Sequence, residues 1–271
     1  MAKCVLVFDL ETVPDLPAIA RAHGLDDPDE AAAREALWEK LAKDPFHQIV
    51  CIGTLIAEQV DREWQVRSID APHAEKCSER ELIAGFVNRI AELRPRLVTF
   101  NSSRFVRYRV MVNTLSAPGL TYYVEDAVDL CDCLSFFSSN AKVKLPELCR
   151  ALGLPGKPDE IDSAKVEEFV SAGRFAEVAS HYECHVVSTF RAWLRYEFSR
   201  GMLSRSEFDA SEDNLFEYLT GKLATKPQFA DLLGGEGLTP SSRWRRSRVR
   251  HLRARLHARR PASPLPQPQR G

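Results

Sequence analysis

Apolar positions along the chain fall into short continuous runs and into longer stretches with helical spacing. Cys4-Val5-Leu6-Val7-Phe8 is a continuous run rich in β-branched and aromatic residues, which predicts a short, fully buried strand. Residues 49–56 (Ile-Val-Cys-Ile-Gly-Thr-Leu-Ile) predict a second strand, and residues 64–69 alternate enough to predict a third pairing back on it. Ser78-Glu79-Arg80-Glu81 is a capping-box pattern. It opens a helix whose apolar positions Leu82, Ile83, Phe86, Val87 and Ile90 share one face. Pro95 ends that helix, and Leu97-Val98-Thr99-Phe100-Asn101 predicts a fourth strand. A meander followed by helix and strand is an α/β pattern. Residues 18–43 are helix-rich and charged, and helices are also predicted over 105–115, 143–152, 163–172 and 174–199. The last has a broad apolar face built from Phe175, Val178, Ala179, Tyr182, Val186, Phe190, Trp193 and Leu194.

Composition is that of a soluble globular protein: 271 residues, 44% hydrophobic and 28% charged, enough for one large domain or two small ones. No run approaches the roughly 18 apolar residues of a membrane span. Met1-Ala2-Lys3 leads directly into a strand without the pattern of a signal peptide, so a cytoplasmic protein is the expectation. Seven cysteines, an odd number, argue against a disulfide framework and for small buried side chains. Cys131 and Cys133 are spaced C-x-C without a companion pair at zinc-site spacing. The net charge of −1 hides an asymmetry, because residues 237–271 hold ten arginines and no acid. The expected organisation is a folded domain over 1–235 and a disordered, Arg- and Pro-rich tail over 236–271. That tail is either a nucleic-acid-binding arm or a solvated extension of out-of-frame composition.

Candidate chemistry starts at Asp9 and Glu11. In a strand, positions i and i+2 point to the same face, so both carboxylates point one way where the buried strand ends. Buried like charges are costly unless a cation neutralises them, and oxygen donors suit magnesium or manganese. The competing expectation is that the chain turns at Thr12-Val13-Pro14-Asp15 and both acids are solvated.

Several stretches in order carry a resemblance: residues 7–15 (Val-Phe-Asp-Leu-Glu-Thr-Val-Pro-Asp), Phe46-His47-Gln48-Ile49-Val50, Pro95 to Asn101, Asp129-Leu130-Cys131-Asp132, and Leu152-Gly153-Leu154-Pro155-Gly156-Lys157. The chain resembles the DEDD-type 3′–5′ exonucleases. Among them it resembles the bacterial family of predicted exonucleases related to the proofreading domain of family B DNA polymerases, over about residues 3–233. The resemblance implies an α/β, RNase H-like mixed sheet flanked by helices. It implies hydrolysis of single-stranded DNA or RNA 3′ ends by two Mg²⁺ or Mn²⁺ ions, held by four carboxylates. It makes Asp9 and Glu11 metal-holding carboxylates, puts Thr12 beside the terminal nucleotide, and puts Asn101 and Phe105 on the substrate strand. A tyrosine or histidine of the last helix would position the attacking water.

The chain departs from that pattern twice. The family's second motif has an Asp after the Phe, but Val106 follows Phe105 here, then Arg107-Tyr108-Arg109. The third motif is Tyr-x-x-x-Asp before paired valines. Here His181-Tyr182-Glu183-Cys184-His185 precedes Val186-Val187. Aligned without a gap, His181 takes the Tyr position; with one deletion, Tyr182 does. Either way His185 stands where the Asp belongs, and two of four carboxylates are absent. That predicts weak metal binding and activity far below that of an intact relative. Four residues apart, His181 and His185 share a helix face, as a transition-metal half-site or as a solvated or core-edge pair. Glu183 is out of register by about 200° of helix rotation, while Asp129 and Asp132 are spare acids. The alternative function is a non-catalytic nucleic-acid-binding relative, and a third is a decayed gene product.

Overall fold

Strand β1 (Cys4–Pro14) does not stop at Phe8 but runs on through Asp9 and Glu11 to Pro14. The computed structural model describes residues 3–22, 24, 46–101, 127–155 and 163–233. β1 pairs antiparallel with β2 (His47–Val60) from Cys4↔Glu58 to Pro14↔His47. The turn at Thr12-Val13-Pro14 is therefore not formed, because those residues stay in the ladder. The register shifts between Glu11↔Cys51 and Thr12↔Ile49, leaving Val50 as the extra residue of a bulge. β2 reverses through Asp61 and Arg62, with φ of 47° and 71°, the two left-handed positions of a tight hairpin. β3 (Glu63–Asp70) follows and pairs with β2. β4 (Arg96–Thr99) and β5 (Val128–Asp129) add in parallel on the other side of β1, giving the order β3-β2-β1-β4-β5. This is the expected RNase H-like mixed sheet.

Among the described residues the helices are, in chain order, α1 (Leu16–Ala22), α2 (Glu79–Leu93), α3 (Leu130–Leu134), α4 (Leu145–Ala151), α5 (Ser163–Ser171), α6 (Phe175–Ser199) and α7 (Arg205–Lys222). Strand alternation sorts β1 between two layers. Leu6 and Phe8 face α2 and pack with Ile83, Phe86 and Ile90, the Phe8 and Phe86 rings 5.2 Å apart. Val5 and Val7 face the other way, into the cluster built by Val186, Val187, Phe190, Trp193 and Leu194 of α6. α2 starts where expected: the Glu81 N–H donates to Ser78 Oγ at 3.3 Å, and the Ser78 N–H donates to Glu81 Oε2 at 2.8 Å. It ends at Arg94, left-handed at φ 45°, just before Pro95.

α7 covers the outer strand. The Trp64 N–H donates to Ser211 Oγ at 2.9 Å and the Val66 N–H to Asn214 Oδ1 at 2.8 Å, so helix side chains satisfy two donors of an edge strand. A 3-10 stretch (Pro227–Leu233) then closes over α6. The seven cysteines are free thiols, with Cys51, Cys131, Cys149 and Cys184 buried. Among the described residues no helix is long and apolar enough to cross a membrane. The predicted 105–115 helix, Phe105, and the tail from 236 lie outside the described residues.

Candidate active site

Asp9 and Glu11 continue the row of Val5 and Val7, so they point at α6 and are buried, at 9% and 6% exposure. Asp9 Oδ1 accepts the Leu10 N–H at 3.0 Å. Burial pushes the Glu11 carboxyl well above its ordinary value; the neighbouring Asp9 charge adds to this, and a hydrogen bond from the Thr12 backbone partly opposes it. Pairing of β1 with β4 ends at Val7↔Val98, so among the described residues Asp9 and Glu11 lie beyond the last pair on that side. The acids thus sit at the carboxyl ends of the parallel strands, where open α/β sheets receive ligands.

The close seat of α6 depends on Gly53, which pairs with Asp9 across the β1–β2 ladder. A Cβ at Gly53 would lie 3.0 Å from the Tyr182 carbonyl oxygen and 3.2 Å from Tyr182 Cβ. Without that Cβ the helix settles against the strand, and His185 Nδ1 comes within 3.1 Å of Asp9 Oδ2. The His181 ring lies 4.3 Å from that of His185, and the Tyr182 ring 5.3 Å from it. Tyr182 is itself buried among Val13, Val50, Cys51, Val166 and Val178. Glu183 points away, as its helix register requires. It accepts from Lys226 Nζ and Gln228 Nε2, each at 2.6 Å.

At the neighbouring strand ends Asn101 leaves β4 with φ 62°. Its N–H donates to Asp129 Oδ1 at 2.8 Å, the same oxygen that accepts the Cys131 N–H at 3.0 Å and caps α3. Lys142 Nζ pairs with Asp132 Oδ1 at 2.7 Å and donates to Asn101 Oδ1 at 3.3 Å. The two spare acids therefore hold backbone and Lys142. Thr12 lies past the bulge, its Oγ1 3.2 Å from His47 Nδ1. The structure thus brings Asp9 and His185 into contact with Glu11 on the same face of β1, packs His181 and Tyr182 beside His185, and puts Asn101 on an adjacent strand end. Gly53, His47 and Lys142 join the site only in the fold. Gly53 had a signal, since an isolated glycine inside a strand marks close backbone approach.

Among the described residues no group of three or more His, Cys, Asp and Glu side chains is placed to hold a metal ion. The family model of predicted 3′–5′ exonucleases related to the exonuclease domain of PolB matches residues 39–233. The chain belongs to this family. The match takes in Asn101, Tyr182 and His185 and begins after β1, so Asp9 and Glu11 precede it. None of the curated proteins matches the chain. Membership of this exonuclease family points to nucleic acid as the substrate class.

Proposed function

We propose that the chain is a metal-dependent 3′–5′ exonuclease acting on single-stranded DNA or RNA ends, with its hydrolysis weakened by a reduced set of carboxylates. The observation that carries this is the buried like-charged pair Asp9 and Glu11 at the carboxyl ends of the parallel strands. Burial and the Asp9 charge oppose ionisation of Glu11 there, and a cation beside it would favour the ionised form. The donor set fits a hard divalent cation at Asp9 and Glu11, Mg²⁺ or Mn²⁺, and falls short of four carboxylates. When bound, such ions lower the pKa of an attacking water and stabilise the leaving oxygen. Two divalent ions bring four positive charges, and two carboxylates offset half, so affinity falls to what substrate phosphates add.

The remaining roles belong to the chain's own groups. His185, against Asp9, takes the proton from the attacking water, and Tyr182 packs behind its ring and fixes its orientation. Asn101, braced by Lys142 and Asp129, faces the substrate strand, and Thr12 lies beside the terminal nucleotide. The contact of His185 with Asp9 also favours a second reading: imidazole occupies a carboxylate oxygen that a metal would need, as in a non-catalytic nucleic-acid-binding relative.

A 3′-labelled single strand incubated with the purified chain decides between them. Slow digestion is expected in Mg²⁺ or Mn²⁺, the ions that carboxylate donors suit. It should disappear in Asp9→Ala. Binding that weakens with salt, without digestion in either metal, assigns the second reading.

A further inference from the structure

The turn after α3 displays two adjacent phenylalanines to solvent, Phe136 at 91% and Phe137 at 77% exposure. Both have left-handed backbones, with φ of 49° and 60°. Such φ values favour glycine or asparagine, and exposed aromatic pairs cost solubility. Stability alone selects neither feature. The backbone beneath is nevertheless tied down. The Phe137 N–H donates to the Asp132 carbonyl at 2.8 Å, the Ser135 N–H donates to the Cys131 carbonyl at 3.1 Å, and Ser135 is buried. The rings are therefore held out on a fixed support.

Their position connects them to the site. α3 begins at the carboxyl end of β5, beside the end of β4 that carries Asn101. The Asp129 carboxylate that caps α3 also holds the Asn101 backbone. Lys142, on the segment after the turn, brings a cation to Asp132 and Asn101. We infer that Phe136 and Phe137 form a stacking platform for unpaired bases of the substrate strand, so that the chain takes single-stranded rather than duplex ends. This rests on the nucleic-acid reading of the same cleft. Flat aromatic faces on the segment that also leads to Lys142 suit bases stacked along a backbone, since every base offers a π-face.

The test uses the full chain with calcium in place of magnesium, so that no strand is cut. Fluorescence anisotropy compares a short oligothymidylate with an abasic strand of equal length. Phe136→Ala with Phe137→Ala should weaken oligothymidylate binding roughly tenfold or more and leave abasic binding unchanged. Phe136→Gly, which suits the backbone, should bind the oligothymidylate more weakly while melting no lower than the parent. Equal losses on both strands, or none on either, overturn the platform. A homodimer that the double substitution splits, with oligonucleotide affinity intact, also overturns it and assigns the patch to self-association. Digestion that still depends on Asp9 while the phenylalanine variants bind normally removes the platform and keeps the exonuclease. Base-dependent loss without digestion in magnesium or manganese removes the hydrolysis and keeps the platform.

Discussion

At the residue scale the site turns on Glu11, a carboxyl with burial and the Asp9 charge against its ionisation, and His185 in contact with that Asp9. Its folded pKa is raised, so the sign follows directly. Its share of stability is fully present below the ordinary glutamate value of about 4.3 and is lost as the pH rises through the raised folded value. In chelator, the melting temperature of the chain should therefore fall from weakly acidic toward neutral pH, and Glu11→Gln should flatten that slope. Adding Mn²⁺ at neutral pH should recover stability in the parent and less so in Glu11→Gln. A parent curve that rises over this interval, with the Gln variant parallel to it, removes the buried like-charge account. The D-x-E spacing made the shared face legible, because strand period is local. His185 as the partner of Asp9 was legible only as a position in a motif, since no periodicity connects residues so far apart in the chain.

At the element scale the decisive contact is that of β2 with α6, made through Gly53. Gly53→Ala places a methyl 3.0 Å from the Tyr182 carbonyl oxygen, a backbone atom that moves only with its helix. Overpacking of this kind costs about 1–3 kcal/mol, read as a lower denaturant midpoint. The larger consequence is that α6 shifts outward and carries His185 beyond hydrogen-bonding distance of Asp9 in a crystal structure of the variant. An unchanged midpoint with an unchanged separation would show that the close approach is unimportant. The strands with β-branched runs and α2 with its Ser78–Glu81 capping box were legible because each carries its own local signal. β1 extends beyond its apolar run because β2 pairs with it as far as His47, a long-range effect. α7 is not legible in the sequence although Ser204 and Glu207 form a capping box, because its buried apolar residues, Phe208, Leu215 and Leu219, are too few to mark a stripe. β5, a pair of residues, takes its identity among the described residues from its pairing with β4.

At the scale of the whole molecule, a buried ion pair ties the layer that carries His185 to its cover. Arg191 of α6 donates from Nε and Nη2 to Glu212 Oε2 of α7, at 3.1 and 2.9 Å, and from Nη1 to the Leu232 carbonyl at 3.3 Å. Their side chains are 5% and 7% exposed, so this guanidinium fork, closed on one carboxylate oxygen, joins α6, α7 and the closing 3-10 stretch. Next to Glu212, Ser211 accepts from the edge strand β3, so the fork also positions the cover of the sheet. Removing one partner strands a charge in the interior. Glu212→Ala leaves Arg191 close to Arg195, whose own pKa burial already lowers, and should cost about 3–5 kcal/mol. Replacing both partners, Arg191→Met with Glu212→Leu, leaves no buried charge and should recover most of that loss, as apolar substitutes of similar volume do elsewhere. Denaturant unfolding of the parent, both single variants and the double variant closes the cycle. A double variant no more stable than the singles would mean that the fork supplies geometry which apolar packing cannot replace. In that case α6 should also lose its register on β2, and the contact between His185 and Asp9 should weaken with it. Recovery of stability with that contact intact would show that the fork holds the layers together without setting the site.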